Sequence, residues 1–191
     1  NLKGGSPKVL IECEEPLSEV SFRPVQMSLA YRRGEAGVWI CGLDGEAREL
    51  PTPAGRVRSL QWNSDGQALT YLHLPEAGSY RSELREVSPR GEDKLVAKTS
   101  QYIQFSRNSD GTVLAAASGS KASPYVLIMV RRVRRELALA EHKASDPERV
   151  SIRFTPNSQR VVFGSDRDGK PALYLMNVER LVEETESGSA Q

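Results

Sequence analysis

Tyr102-Ile103-Gln104-Phe105-Ser106-Arg107-Asn108-Ser109-Asp110-Gly111-Thr112-Val113-Leu114-Ala115-Ala116-Ala117 is the stretch that decides the fold. A short alternating strand closes on an aromatic residue, a polar turn follows, and an apolar strand returns. Asn, Asp and Gly at the corner tolerate the left-handed backbone that a tight hairpin needs. The pattern recurs as Val20-Ser21-Phe22 before residues 27–31, Leu60-Gln61-Trp62 before residues 68–72, and Val150 to Phe154 before Arg160 to Phe163. The corners Asn63-Ser64-Asp65-Gly66 and Pro156-Asn157-Ser158 repeat the same turn chemistry. The aromatic anchors Phe22, Trp62, Phe105 and Phe154 stand 40, 43 and 49 residues apart, close to the period of about 40 to 50 residues shown by propeller blades.

A third strand follows in each unit, at residues 38–43, 82–87, 125–130 and 172–178, and a fourth reads at 48–50, 94–97 and 137–140. This predicts an all-β fold, a β-propeller of four blades with four antiparallel strands each. The blades span 18–55, 56–99, 100–148 and 149–182 within one domain over residues 1–186. The apolar run Val126 to Val130 reads as a strand covered on both faces, whereas Ser82 to Val87 alternates and is expected to keep one wet face. Residues 6–13 read as the outer strand of another blade, which makes the chain the C-terminal part of a larger propeller. The alternative is a ring of four, closed by pairing that strand beside Ala172 to Val178. A short helical turn is expected at Arg180 to Glu184, and a flexible tail at residues 187–191.

Composition narrows the function classes. The chain has 191 residues with 26 Lys+Arg against 25 Asp+Glu, a net charge of +1, so no overall field favours nucleic acid or an anionic membrane. Its longest apolar run, residues 126–130, is far below the roughly 20 residues of a membrane helix. Cys13 and Cys41 cannot build a disulfide framework and are expected to stay unpaired. His73 and His142 cannot by themselves supply a three-histidine metal site.

The fourth unit, Phe154-Thr155-Pro156-Asn157-Ser158 followed by Ser165-Asp166-Arg167-Asp168-Gly169 and Leu173-Tyr174-Leu175, resembles the WD-like repeat of the Tol-associated periplasmic propeller proteins. Lys94 to Tyr102, Glu141 to Pro147 and Val178 to Thr185 are similar to the propellers grouped with oligogalacturonate lyase. The resemblance covers roughly residues 57–186 and implies a seven-bladed parent, in the bacterial periplasm on the first likeness and the cytoplasm on the second. The lyase resemblance implies β-elimination on pectin disaccharides assisted by Mn²⁺, which acidifies the proton beside the uronate carboxylate. Here the pattern breaks. His142 stands where that family has a histidine, but Val150-Ser151-Ile152-Arg153 replaces its histidine pair, and His142 with Gln101 or Gln104 makes an incomplete shell for a cation.

The sequence-level reading is therefore a non-catalytic module that binds a protein or a saccharide at a loop-lined rim, with no cofactor. The alternative is part of a Mn²⁺-dependent oligogalacturonate lyase, completed by N-terminal blades, with His142 as a metal ligand. Candidate ligand-binding residues are His142, Arg153 and the cluster Arg131, Arg132, Arg134 and Arg135, because guanidinium forks suit uronate carboxylates or acidic partners. His73 is expected in an exposed loop. Asp166, Asp168 and Gly169 fit a turn better than a calcium loop. His142, Ser145 and Asp146 lie too close along the chain to converge as a hydrolytic triad.

Overall fold

A computed structural model describes residues 6–76 and 81–181. Blade 1 contains β1 (Leu17–Phe22), β2 (Ser28–Arg33), β3 (Gly37–Gly42) and β4 (Ala47–Leu50), and blade 2 contains β5 (Gly55–Trp62), β6 (Leu69–Pro75), β7 (Glu83–Val87) and β8 (Asp93–Lys98). Blade 3 contains β9 (Tyr102–Arg107), β10 (Val113–Ser118), β11 (Tyr125–Val130) and β12 (Arg135–Glu141), and blade 4 contains β13 (Ile152–Phe154), β14 (Arg160–Ser165) and β15 (Ala172–Asn177). Every blade is an antiparallel meander in chain order. The first strands β1, β5, β9 and β13 meet one another from blade to blade, which puts them nearest the axis of a propeller arrangement. The fourth blade has three strands among the described residues, and residues 179–181 are helical. The expected tail lies outside the described residues.

The repeated turns explain the hairpins. Gly66 and Gly111 hold φ of +66° and +73°, a region open to glycine because it has no Cβ. Each donates its N–H to the Asn three residues earlier, at 2.9 and 3.1 Å. In blade 4 Ser158 takes the left-handed position, and its hydroxyl accepts from Ser109 N–H at 2.8 Å, tying the turns of two blades together.

Alternation along each strand sends residues to opposite blade interfaces. Ala30, Val38, Ile40 and Leu50 meet Val57, Leu60 and Trp62 between blades 1 and 2. Leu72 and Leu84 meet Tyr102, Phe105 and Leu114 between blades 2 and 3, and Val126 and Ile128 meet Ile152, Val161 and Phe163 between blades 3 and 4. Burial of these side chains between sheets is the main favourable term holding the array, since an isolated blade leaves both faces wet. An innermost strand also has a free edge, and side chains of the preceding blade satisfy it. Ser106 Oγ accepts from Phe154 N–H at 3.0 Å, Gln104 Oε1 from Ile152 N–H at 2.9 Å and Gln61 Oε1 from Arg107 N–H at 3.1 Å.

Four expectations need correction. Phe22 is not a packing anchor: it is 71% exposed while Trp62 and Phe105 are buried, because the described residues place no preceding blade beneath it. Residues 6–13 form no strand; Leu10 and Ile11 instead pack on Leu29, Tyr31 and Cys41, on the two middle strands of blade 1. The alternating strand β7 has no simple wet face, since Glu86 is buried and Arg85 pairs with Glu83 and Asp93. His73 is buried rather than in a loop, because β6 runs on to Pro75 and sets its ring against Ala54 O at 2.9 Å and Glu83 at 3.3 Å. Cys13 and Cys41 are both unpaired, Cys41 buried on β3 and Cys13 in the segment before β1.

Candidate functional site

The connection from β12 to β13 is fastened to its surroundings by His142. Its N–H donates to Pro124 O at 2.6 Å, just as Thr99 N–H donates to Ser82 O at 2.9 Å one blade earlier. The ring is fully buried. Ala144 N–H donates to Nδ1 at 3.2 Å, so Nε2 carries the hydrogen and donates to Ser118 O at 2.9 Å. Burial pushes the imidazole pKa below its ordinary value, the bond to Ser118 opposing this and the nearby Arg167 adding to it. Ser165 Oγ donates to His142 O at 2.6 Å.

Beyond His142 the loop turns outward. Asp146 caps a 3₁₀ turn over Pro147–Arg149, accepting Glu148 N–H at 3.1 Å, while proline at the first position pre-sets the backbone. Ser145 N–H donates to Asp166 Oδ1 at 2.8 Å, and the Ser145 hydroxyl donates to Asp166 Oδ2. These two bonds hold the Asp166 carboxyl below the usual carboxylate range. Asp166 opens the turn to Gly169, which keeps φ +81°, and Tyr174 OH donates to Asp168 at 2.8 Å. Between this turn and the 144–150 loop lies a cleft of about 580 Å³, with Ser145, Asp146, Arg149 and Asp166 around it and Val150 and Leu173 supplying apolar wall.

The other candidates lie elsewhere. Arg131 bridges blades, donating to Glu86 at 2.7 Å and to Gly111 O at 3.1 Å. Burial alone would raise the Glu86 carboxyl, but Arg131 and Lys94 outweigh it and leave the group below its ordinary value. Arg132, Arg134 and Arg135 are exposed around the β11–β12 turn, with Arg134 at φ +50°. Arg153 is exposed on β13 and donates to Ile152 O at 2.7 Å. Thus the structure does not gather His142, Arg153 and the 131–135 arginines into one site; the cleft takes its guanidinium from Arg149, 3.3 Å from Asp146. Sequence reasoning missed Arg149. The usable signal was Asp146-Pro147, a cap followed by proline, which makes the next residues a short exposed turn.

No family model matches the chain. An oligogalacturonide lyase from Pectobacterium atrosepticum is 29% identical over 140 residues, covering 61% of this chain and 36% of that protein. An oligogalacturonate lyase solved in complex with manganese superposes with a TM-score of 0.80 at 23% identity, covering 93% of this chain and 52% of that one. A putative TolB from Agrobacterium tumefaciens gives a TM-score of 0.74 at 16% identity, with coverages of 90% and 62%. The fold is that of the lyase and TolB propellers. This chain spans about a third to a half of the lyases' lengths.

The manganese in the lyase neighbour invites a test of fit. Both His142 nitrogens are committed to backbone partners, Val150 and Ile152 offer no donor atoms, and Arg153 brings a positive charge. Among the described residues no three His, Cys, Asp or Glu side chains are grouped to hold a metal. The residues present do not fit the ion.

Proposed function

We propose that the chain is a propeller binding module whose ligand site is the rim cleft between the 144–150 loop and the 166–171 turn, and that the ligand is a saccharide. The cleft itself carries the reading: a concave site with a few converging polar groups beside apolar wall is where small ligands bind. The carboxylates of Asp146 and Asp166 are acceptors for sugar hydroxyls, the Arg149 guanidinium suits an acidic sugar, and Leu173 and Val150 suit the ring face. The similarity to oligogalacturonide lyase over 140 residues supports an acidic saccharide over a peptide. Binding needs no metal on this reading. Ser145 has no effective base: Asp166, which accepts its hydroxyl, is held below the usual carboxylate range and the His142 ring faces the core.

The test is titration calorimetry with digalacturonate in EDTA, on the native chain and on Arg149→Ala and Asp166→Asn. Removing one charge-assisted contact costs about 1.5–3 kcal/mol, so each variant is expected to weaken binding by roughly tenfold or more. Unchanged affinity in both variants refutes the site. The lyase reading rests on the same similarity and is checked in parallel: absorbance rising near the ultraviolet edge as unsaturated uronate forms with added Mn²⁺ would replace binding by catalysis.

A further inference from the structure

The turn after the first strand starts on Asn63 in blade 2 and Asn108 in blade 3, whose N–H groups donate to Ala68 O and Val113 O. In blade 1 Arg23 takes that place, donating its N–H to Ser28 O at 2.9 Å. A full charge replaces a neutral amide. Arg23 Nε donates to Gly66 O of blade 2 at 2.6 Å, and the guanidinium lies 5.2 Å from the centroid of the Trp62 ring. Its terminal N–H groups meet no acceptor among the described residues. Burial and the nearby Arg48 charge both pull the Arg23 pKa below its ordinary value, so two like charges are held close together.

The next interface shows what would balance them. Lys94 on β8 stands opposite Glu86 on β7 and pairs with it at 3.2 Å, and Arg131 of blade 3 pairs with it at 2.7 Å. Arg48 on β4 stands opposite Ile40 on β3 in the same way. The position that holds a buried acid between blades 2 and 3 is therefore aliphatic between blades 1 and 2, and Arg48 donates to Pro89 O. Among the described residues Arg23, Arg48 and Arg90 form no ion pair with any carboxylate.

Two clefts of about 350 and 430 Å³ open beside these groups, sharing Arg23, Gln26 and Pro89. Arg48 lines the first and Arg90 the second. Ser28 also lines the first, and its Oγ is buried without a hydrogen-bond partner. Glu46 and Glu92 line the clefts too, but both are exposed, and across water they offset little of the charge. The walls belong to blades 1 and 2, on the face of blade 1 that carries Ala30 and Val38, so a blade stacked on its other face leaves the clefts open. In an antiparallel meander the turns after the first and third strands share one rim, and the turn after the second lies at the other. The clefts therefore sit at the opposite rim from the 166–171 turn.

We propose that this double cleft is a second ligand site, for a molecule carrying two linked phosphate groups. Arg48 and the Ser28 hydroxyl donate to one phosphate, Arg90 donates to the other, and Arg23 lies between them. A phosphate brings a charge of about −1.5 to −2 and three acceptor oxygens, more than the single charge and two oxygens of a carboxylate, and guanidinium forks match it bidentately. The site shares no residue with the saccharide cleft, so either can fail without the other.

The experiment is titration calorimetry in EDTA at physiological ionic strength, with inorganic pyrophosphate and orthophosphate as probes. It uses the native chain, Arg48→Gln, Arg90→Gln and Arg149→Ala, with circular dichroism as the fold control. Arg48 and Arg90 are exposed, so the spectra stay unchanged. Pyrophosphate is expected to bind the native chain saturably and more tightly than orthophosphate. Losing one charge-assisted contact weakens that binding by roughly tenfold or more in Arg48→Gln and in Arg90→Gln, while Arg149→Ala and an excess of digalacturonate leave it unchanged. No saturable binding of pyrophosphate by the native chain overturns the proposal. So does orthophosphate binding as tightly, which marks a pocket for a single anion, or affinity untouched in both arginine variants. Displacement by digalacturonate also overturns it, because the clefts would then take carboxylates.

Discussion

Arg131→Ala tests whether the arginine cluster serves the fold or a ligand. Its guanidinium lies 2.7 Å from the Glu86 carboxylate, whose side chain is 4% exposed, and Thr70 Oγ1 donates to the same oxygen at 3.2 Å. Breaking a buried pair by removing one partner costs about 3–5 kcal/mol, since it strands the other charge. Lys94, 3.2 Å from Glu86 but largely exposed, remains as partial compensation, so roughly 2–3 kcal/mol is expected. The assay is urea unfolding of the native chain and the variant at pH 7 and again near pH 3. Glu86 sits below its ordinary value in the fold, so its stabilising contribution is full above the unfolded-state value near 4.5 and is lost as pH falls through the lower folded value. The gap between native and variant therefore narrows in acid. A variant within about 0.5 kcal/mol of native at pH 7, or a gap indifferent to pH, refutes the account of Arg131 as an interblade tie.

Three further outcomes follow from the same geometry. His142→Gln should remove acid lability: the buried ring resists protonation, so native stability is full above pH 6.5 and falls as pH drops below it, and pH-dependent unfolding from 7 to 5 should show a flatter slope in the variant. Gly66→Ala adds a Cβ 2.5 Å from Pro24 O at φ +66°, costing about 1–3 kcal/mol by thermal unfolding. Phe105→Ala opens a cavity between blades 2 and 3 and should cost about 3–5 kcal/mol, whereas Phe22→Ala, already exposed, should cost under about 0.5 kcal/mol in the single chain.

The propeller was legible because its cause is local and repeated. An aromatic strand end, an Asn-Ser-Asp-Gly corner and a returning apolar strand specify a hairpin, and a spacing of 40 to 49 residues specifies how often it recurs. What failed were inferences about each residue's neighbours. Phe22 has the anchor's spelling but no blade beneath it among the described residues, and Pro7 to Glu12 has a strand's spelling but makes its contacts through Leu10 and Ile11 side chains. His73 and Glu86 read as wet, yet both are buried with partners supplied by other strands. Sequence spacing reports which way a side chain points and stays silent on what waits there. The cleft was hidden for the same reason: Ser145 and Asp166 are 21 residues apart and meet only because blade 4 folds back on the loop that precedes it.

On the proposed function the propeller holds its ligand at the 144–150 and 166–171 rim without a metal. A titration of the ¹⁵N-labelled chain with digalacturonate in excess EDTA tests it most directly, by following backbone amide shifts. The account predicts saturable shifts concentrated at Ser145, Asp146, Arg149 and Asp166, with Arg132 and Arg134 undisturbed. Shifts centred on Arg131 to Arg135 or on Arg153, or shifts that arise only when Mn²⁺ is supplied, would contradict it.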